Sequence, residues 1–378
     1  MPVRAQVFNF ARQSALPDPS APGKTFAAGV ANSVIAATAF LFTCAVLRII
    51  LPFPEIDGGV SQKFRFFAAH KEEFDTLFIG SSRIYFQISP AIFDRVTRER
   101  GWPTRSFNFG IGGMYLPESA YVLEQILNLK PRRLKWVFIE YDEMQTRWSP
   151  QNQTSRRALY WADWQRVSLL LRKLTDAGTE PVWRPNLEKC RDIVLRRGEE
   201  KNTRSLLTFY VTQLERNYTN VSRGADLWDR LSRRNTRPLP ASYLGAANDG
   251  YVARPGAMSP TQTAAYERAL ATAMAAHDSR TLSPYAVEAY RQCAQRVRDA
   301  GAVPIFLIPP STTQIGLSAE RTGLSAAVLA FNDPRAYPSL YRSDARRDGQ
   351  HLTRSASEEF SRLVAANFVE LARAGVTQ

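Results

Sequence analysis

Apolar and polar positions along this chain fall into distinct regimes. Phe26 to Leu47 runs for 22 residues without a charge. Residues 54–73 form a mixed connector, and then short apolar runs alternate with amphipathic stretches. Asp75-Thr-Leu-Phe-Ile-Gly80, Ser106-Phe-Asn-Phe-Gly110 and Trp136-Val-Phe-Ile-Glu-Tyr141 end in glycine or beside acidic residues. Such runs read as strands buried on both faces. Between them, Ser89-Pro90 opens a helix with the hydroxyl as N-cap, Ile92, Phe93 and Val96 on its apolar side, and Gly101 at its end. A second helix covers about Pro117 to Leu129 and is stopped by Lys130-Pro131.

From about Arg147 to Leu282 the alternation breaks. Trp164–Lys173, Leu187–Arg197, Leu206–Arg216 and Thr261–Ala275 read as helices, with no convincing buried strand among them. The rhythm resumes with a helix from Ser283-Pro284 to Ala300, a strand Val303–Ile308 and a weaker strand near Ala326–Phe331. A final helix carries Ser355 and Glu358 as a capping-box pair, and Phe360, Leu363, Val364, Phe368 and Leu371 as its buried stripe. The pattern predicts an α/β fold: a parallel sheet with right-handed crossovers and a large, mostly helical insertion at about 147–282.

The uncharged N-terminal run is long enough, at ~1.5 Å per residue, to cross a ~30 Å hydrocarbon core. A secretory signal has a shorter apolar region and small residues at its cut site, whereas this run exits through Pro52-Phe-Pro54. It reads as an uncleaved signal anchor, residues 25–53, after a basic tail, residues 1–24, carrying Arg4, Arg12 and Lys24 against Asp18. The positive-inside rule keeps that tail in the cytoplasm and places residues 54–378 outside, which in a bacterium is the periplasm.

Net charge is +14, from 49 Lys and Arg against 35 Asp and Glu. That excess favours an anionic polysaccharide or anionic headgroups. The basic residues are dispersed without a nucleic-acid signature, so nucleic acid is not an expected partner. No cofactor motif and no metal-ligand cluster stands out. Of the three cysteines, Cys44 falls in the anchor, and Cys190 and Cys293 either pair or remain thiols. Five of the 7 tryptophans (Trp148, Trp161, Trp164, Trp183, Trp228) lie in or beside the insertion. They read as the core of a helical subdomain, or as stacking surfaces for sugar rings.

Candidate chemistry sits at two turns. Gly80-Ser81-Ser82-Arg83 follows the first strand, where α/β sheets place their reactive groups. Either serine is a candidate nucleophile, although serine after a strand is also ordinary turn chemistry. Three histidines exist: His70 in the connector, His277 in the insertion, and His351 three residues after Asp348. In Asp348-x-x-His351 a carboxylate can hold one imidazole nitrogen and leave the other free as a base. The plain alternative is an Asp-Gly turn ahead of a helix.

In these residues the chain resembles the SGNH-hydrolase superfamily, over about 74–145 and 284–375. Gly80-Ser81-Ser82 matches the family's first block, Asn108-Phe-Gly-Ile111-Gly-Gly113 its second, and Asp348 with His351 its last. The resemblance implies a three-layer, flavodoxin-like sheet, Ser82 as nucleophile, Asp348 and His351 as its triad partners, and the N–H groups of Ser82 and Gly113 as oxyanion donors. Arg83 and Asn108 become candidate substrate contacts. The family's third block places an asparagine after the third strand, where this chain has Glu140-Tyr-Asp142-Glu143. Gly245-Ala-Ala-Asn248-Asp249 looks like that block but has no strand before it.

The departure is similar to a membrane-anchored subgroup that includes alginate O-acetylation and teichoic-acid D-alanylation proteins. That likeness implies an O-acyltransferase, acting on an extracellular or cell-wall polysaccharide and supplied by a polytopic membrane-bound O-acyltransferase. The same triad with water as acceptor is an esterase, and the same fold without chemistry is a scaffold.

Overall fold

The computed structural model describes residues 22–50, 59–146, 157–176, 189–219, 228, 231–232, 243–275, 281–312 and 326–375. The chain divides into two compact units, Met1–Pro52 and Phe53–Gln378. The first contains α1 (Pro22–Ile50), whose segment Phe26–Leu47 has a mean hydropathy of 2.0. Phe26, Ile35, Leu41 and Phe42 are exposed on it. It is a helix apolar and long enough to span a membrane.

The second unit opens with α2 (Val60–His70), which sequence reading took for part of a connector. Its buried residues include Gln62 and Lys63, so its inward face does not look apolar in the sequence. Next come β1 (Thr76–Gly80), the one-turn α3 (Ser82–Tyr85), α4 (Pro90–Glu99), β2 (Ser106–Gly110), α5 (Glu118–Asn128) and β3 (Trp136–Glu140). The described insertion holds α6 (Arg157–Tyr160), α7 (Trp164–Asp176), α8 (Lys189–Thr219) and α9 (Pro260–Ala275). The chain returns to the sheet through α10 (Pro284–Asp299), β4 (Val303–Ile308), β5 (Ala327–Ala330) and α11 (Arg354–Arg373).

All five strands are parallel, in the order β2-β1-β3-β4-β5. This is the doubly wound arrangement, in which groups beyond the carboxyl ends of the strands gather at a switch point. Alternate residues of each strand point to opposite faces. Leu77, Ile79, Val137, Ile139, Phe306 and Ile308 pack with α5 and α10. Phe78, Phe138, Ile305 and Leu307 pack with Phe93 of α4 and with Phe360, Val364 and Phe368 of α11. Two apolar layers on one sheet explain why the strands read as unbroken apolar runs rather than alternating ones.

Several helix boundaries differ from the sequence reading because tertiary contacts set them. The Ser89 hydroxyl does not cap α4; its N–H instead donates to Ser361 Oγ of α11 at 2.9 Å. α11 begins at Arg354, with Thr353 in the cap position and its N–H on Ala345 O at 2.8 Å. Ser355 and Glu358 therefore lie inside the helix, and Glu358 accepts from Arg354 rather than closing a capping box. From Lys189 on, the stretches read as separate helices at Leu187–Arg197 and Leu206–Arg216 belong to one continuous helix, α8, since a single Gly198 costs only about 1 kcal/mol in a helix; residues 187–188 lie outside the described residues. Ser283 does cap α10, accepting from the Ala286 N–H.

The described insertion is not an independent subdomain. Trp161, Val167, Leu170 and Tyr210 share one apolar cluster with Val137 and Phe306 of the sheet. Trp161 is buried, as expected of a core tryptophan, but Trp164 and Trp228 are each 62 % exposed. Trp148 and Trp183 lie outside the described residues. Cys293 is a buried free thiol on α10, not half of a bridge. Burial pushes that thiol up to about 11. The side chain of Cys190 lies outside the described residues.

The insertion is also fastened to the outer edge of β2. Asn108 N–H donates to Asp249 O at 2.8 Å, satisfying an edge group that water would otherwise take. Lys63 of α2, fully buried, donates to Asn108 O, Gly110 O and Gly250 O at 2.9, 2.8 and 2.6 Å. Its ammonium also lies 3.9 Å over the Tyr85 ring. Burial pushes the Lys63 amine well below the usual lysine range, with the charge of Asp249 working the other way. Gly250 is compelled at this junction: its φ is +85°, and a Cβ there would sit 2.0 Å from Asn108 O. Gly250→Ala should therefore cost about 2 kcal/mol or more, because both the backbone angle and the backbone contact are lost. A thermal melt should fall by about 4 °C or more; an unchanged melting point would show that this junction carries no stability.

Candidate active site

Ser82 is the first residue of α3, immediately beyond the carboxyl end of β1. Gly80 is needed for that turn, because a Cβ on it would lie 2.4 Å from Glu140 Oε2 and 2.6 Å from the Ile84 side chain. Its neighbour strand brings in the second predicted turn: Gly80 pairs with Gly110, and Ile111 N–H donates to Gly80 O at 2.9 Å. Gly113, at φ +67°, lies in the turn that leaves β2. Among the described residues, neither the Ser82 N–H nor the Gly113 N–H is taken by an internal acceptor.

The third turn arrives from 269 residues further along. The Arg346–Leu352 bridge closes a loop in which Asp348 Oδ1 accepts from the Gln350 and His351 N–H groups, both at 2.9 Å. His351 Nδ1 lies 2.8 and 2.9 Å from the two Asp348 oxygens, and His351 Nε2 lies 2.7 Å from Ser82 Oγ. Gln87 Nε2 reaches Gln350 O at 3.1 Å, joining this loop to the serine turn.

The charge on Asp348 orders this chain of three. Burial favours the neutral acid at Asp348. The hydrogen bonds from His351 and the Gln350 N–H, with the charges of His351 and Arg347, outweigh it and hold the carboxyl well below its usual range. An ionised carboxylate only accepts, so when the imidazole is neutral its hydrogen sits on Nδ1 and Nε2 presents its lone pair to the Ser82 hydroxyl. This geometry makes Ser82 Oγ a hydroxyl with a base in place and a carboxylate behind the base.

The two adjacent serines are distinct. Ser81 is buried at 1 %, and its Oγ donates to Glu140 Oε1 at 2.9 Å, facing away from His351. Glu140 also accepts from the Ser81 N–H and, at 2.7 Å, from Arg83 Nε. Arg83 continues to Asp142, and Tyr290 OH ties the backbone of both acidic residues, donating to Glu140 O and accepting from the Asp142 N–H. The acidic end of β3, where the family resemblance expects an asparagine, is thus the clamp that shapes the serine turn.

Two expected substrate contacts are corrected by this network. Arg83 is 6 % exposed and committed to Glu140 and Asp142, because a guanidinium turned inward needs its charge matched. Asn108 is fully buried. Its Nδ2 donates to Ile84 O and Ile88 O at 2.8 and 2.7 Å, and its Oδ1 accepts from the Gly110 N–H at 2.8 Å. It braces β2 against the serine turn and has no donor left for a ligand. Asn248 is exposed at φ +51°, while its neighbour Asp249 serves the β2 edge. His70 stacks on Phe66 and bonds Phe66 O, and His277 lies outside the described residues. Among the described residues, no group of three or more His, Cys, Asp or Glu is placed to hold a metal.

Sequence reading missed Glu140, Lys63 and Phe86. A signal for the first was present: an arginine after one buried strand and two acids after the next are complementary if the strands are neighbours. Phe86 leaves no such trace. Its ring meets the His351 imidazole edge-on at 5.9 Å and lies under the guanidinium groups of Arg254 and Arg347. No protein-family model matches this chain, and a search among curated proteins finds no match.

Replacing Glu140 by glutamine should leave Arg83 half-paired and turn one of the two oxygens that accept from Ser81 into a donor. Glu140→Gln is expected to cost about 3 kcal/mol by urea denaturation, and a loss under 1 kcal/mol would refute the clamp. Asp348 gives a pH test with a definite sign. Its folded-state pKa lies below the unfolded value near ~4, so its contribution to stability is full above that value and is lost as pH falls. Asp348→Asn should flatten the stability profile below about pH 4; an unaltered acid limb would mean that the carboxylate carries no such linkage.

Proposed function

We propose that this protein is a membrane-anchored, SGNH-like O-acyltransferase that modifies an extracellular or cell-wall polysaccharide through an acyl group carried on Ser82. The observation that carries the reading is the 2.7 Å contact from Ser82 Oγ to His351 Nε2, with Asp348 behind the imidazole. In the first half-reaction Ser82 Oγ attacks the acyl carbonyl while Nε2 takes its proton, and Asp348 stabilises the imidazolium. The N–H groups of Ser82 and Gly113 receive the oxyanion. Collapse expels the donor's leaving group, which takes the proton from His351, and the acyl group stays on Ser82. In the second half, an acceptor hydroxyl attacks the acyl carbonyl while Nε2 takes its proton, and collapse expels Ser82 Oγ, which takes that proton back from His351.

Glu140 at the end of β3 offers a carboxylate committed to the Ser81 turn, not a side-chain donor for the oxyanion. Lack of one such donor corresponds to about 3 kcal/mol of transition-state stabilisation, or ~10² in rate. The missing donor slows attack by an acceptor hydroxyl and by water alike, so the binding of the acceptor beside Ser82 decides between transfer and hydrolysis. The apolar stretch Phe26–Leu47 of α1 fits an anchor, and Arg4, Arg12 and Lys24 ahead of that stretch favour a cytoplasmic tail with the catalytic unit outside. A polytopic membrane-bound O-acyltransferase would then be the partner that delivers the acyl group across the bilayer.

Full-length protein in a neutral detergent should label with a fluorophosphonate and turn over p-nitrophenyl acetate. Ser82→Ala and His351→Ala should lower both by about 10³ or more, while Ser81→Ala keeps the label. No label on a folded protein, or a label that survives Ser82→Ala, would sink the reading. With a hydroxyl-rich acceptor present, acyl-polymer as product supports transfer, and free acid alone makes the protein an esterase.

A further inference from the structure

One guanidinium close to the triad is left over by everything described so far. Arg254, in the exposed part of the insertion, lies 4.3 Å over the Phe86 ring, and that ring touches the His351 imidazole. Arg347 also lies over Phe86, at 5.7 Å, but it is paired with Asp348 at 3.1 Å. Among the described residues no carboxylate pairs with Arg254. An arginine stacked on an aromatic face keeps its in-plane N–H groups free, and that planar fork matches a carboxylate or phosphate.

The segment that presents Arg254 is anchored upstream and runs close to Arg347 downstream. Upstream, Gly250 and Asp249 are fixed to β2 and Lys63, and the Tyr251 N–H donates to Asp249 Oδ1 at 3.0 Å. Downstream, Gly256 passes so close to Arg347 that a Cβ on it would lie 3.0 Å from Arg347 Cγ. Phe86 is itself 7 % exposed, so the platform beneath the guanidinium is part of the fold. A segment anchored on β2, presenting a stacked guanidinium with which no described carboxylate pairs, is organised to receive an anion.

We infer that Arg254 is a specificity-determining residue that binds an anionic group, carboxylate or phosphate, on the acceptor polymer, one aromatic ring away from the Ser82–His351 pair. This rests on the acyl-transfer reading for the acceptor's role, though not for the binding itself. The anion would set which hydroxyl of the acceptor reaches Ser82. Arg254 touches no reacting atom, so it selects and orients the acceptor without entering the chemistry.

The test is fluorescence anisotropy with full-length Ser82→Ala protein in neutral detergent at low salt, so that binding is read without turnover. The probes are dye-labelled oligogalacturonate, oligo(glycerol phosphate) and a neutral malto-oligosaccharide of similar length. The acidic probes should bind and the neutral one should not. Adding Arg254→Gln should weaken the acidic probes about tenfold, with Arg254→Lys recovering part of the loss. Arg132→Gln, which removes the same charge at the opposite end of the sheet, should change nothing. The acidic probe that loses more affinity identifies the anion. Equal binding by Arg254→Gln, or an equal loss in Arg132→Gln, overturns the inference. Intact, Arg254-dependent binding in a protein whose Ser82 never labels would uphold it and sink acyl transfer.

Discussion

The carboxylate of Glu140 is the constraint on which the candidate site depends. It sits at the end of β3, beside β1, and accepts from the Ser81 N–H, the Ser81 hydroxyl and Arg83 Nε. A buried carboxylate is tolerable only with its lone pairs filled and its charge matched, and these three donors do both. In meeting that need, Glu140 turns Ser81 inward. The next residue, Ser82, is thereby presented outward to His351. Packing energetics and site geometry are one statement here.

A second constraint acts at the free edge of the sheet. β2 is the outermost strand on its side, and the insertion covers it through Asp249 and Gly250, with Lys63 supplying three hydrogen bonds at the corner. An ammonium has three donors and no acceptor, so three converging carbonyls suit it even where burial disfavours its charge. This joint couples α2, the turn that carries Gly113, and the loop that carries Arg254. The insertion is thus a wall of the site as well as a cover for an edge.

The prediction for Arg254 and the clamp at Glu140 show how unevenly the sequence exposes its own chemistry. The strands, their parallel alternation, the helix stripes and the apolar N-terminal run were legible, because burial on a sheet or helix leaves a periodic trace in neighbouring residues. Gly80, Ser82, Asp348 and His351 were legible as candidates, because each lies at a turn beyond a strand or before a helix. Arg83 and Asn108 were misjudged for the opposite reason. Their residue types fit ligand binding, and only their partners, Glu140 and the Ile84 and Ile88 carbonyls, reveal them as braces. α2 was hidden because its inward face carries Lys63 and Gln62, which no hydrophobic period reports.

By itself, the sequence determined the class of fold, the membrane-length helix and the stock of reactive side chains at the strand ends. These depend on residues within a few positions of one another, where periodicity and turn preference act. The tertiary structure alone decided which serine meets His351, that the acidic end of β3 is a clamp, and that an arginine from the insertion stands beside the triad. Those outcomes depend on strand order and register, which bring side chains as much as 269 residues apart within a hydrogen bond. A hydrogen bond is set by angstroms in space, and sequence spacing carries no record of that distance.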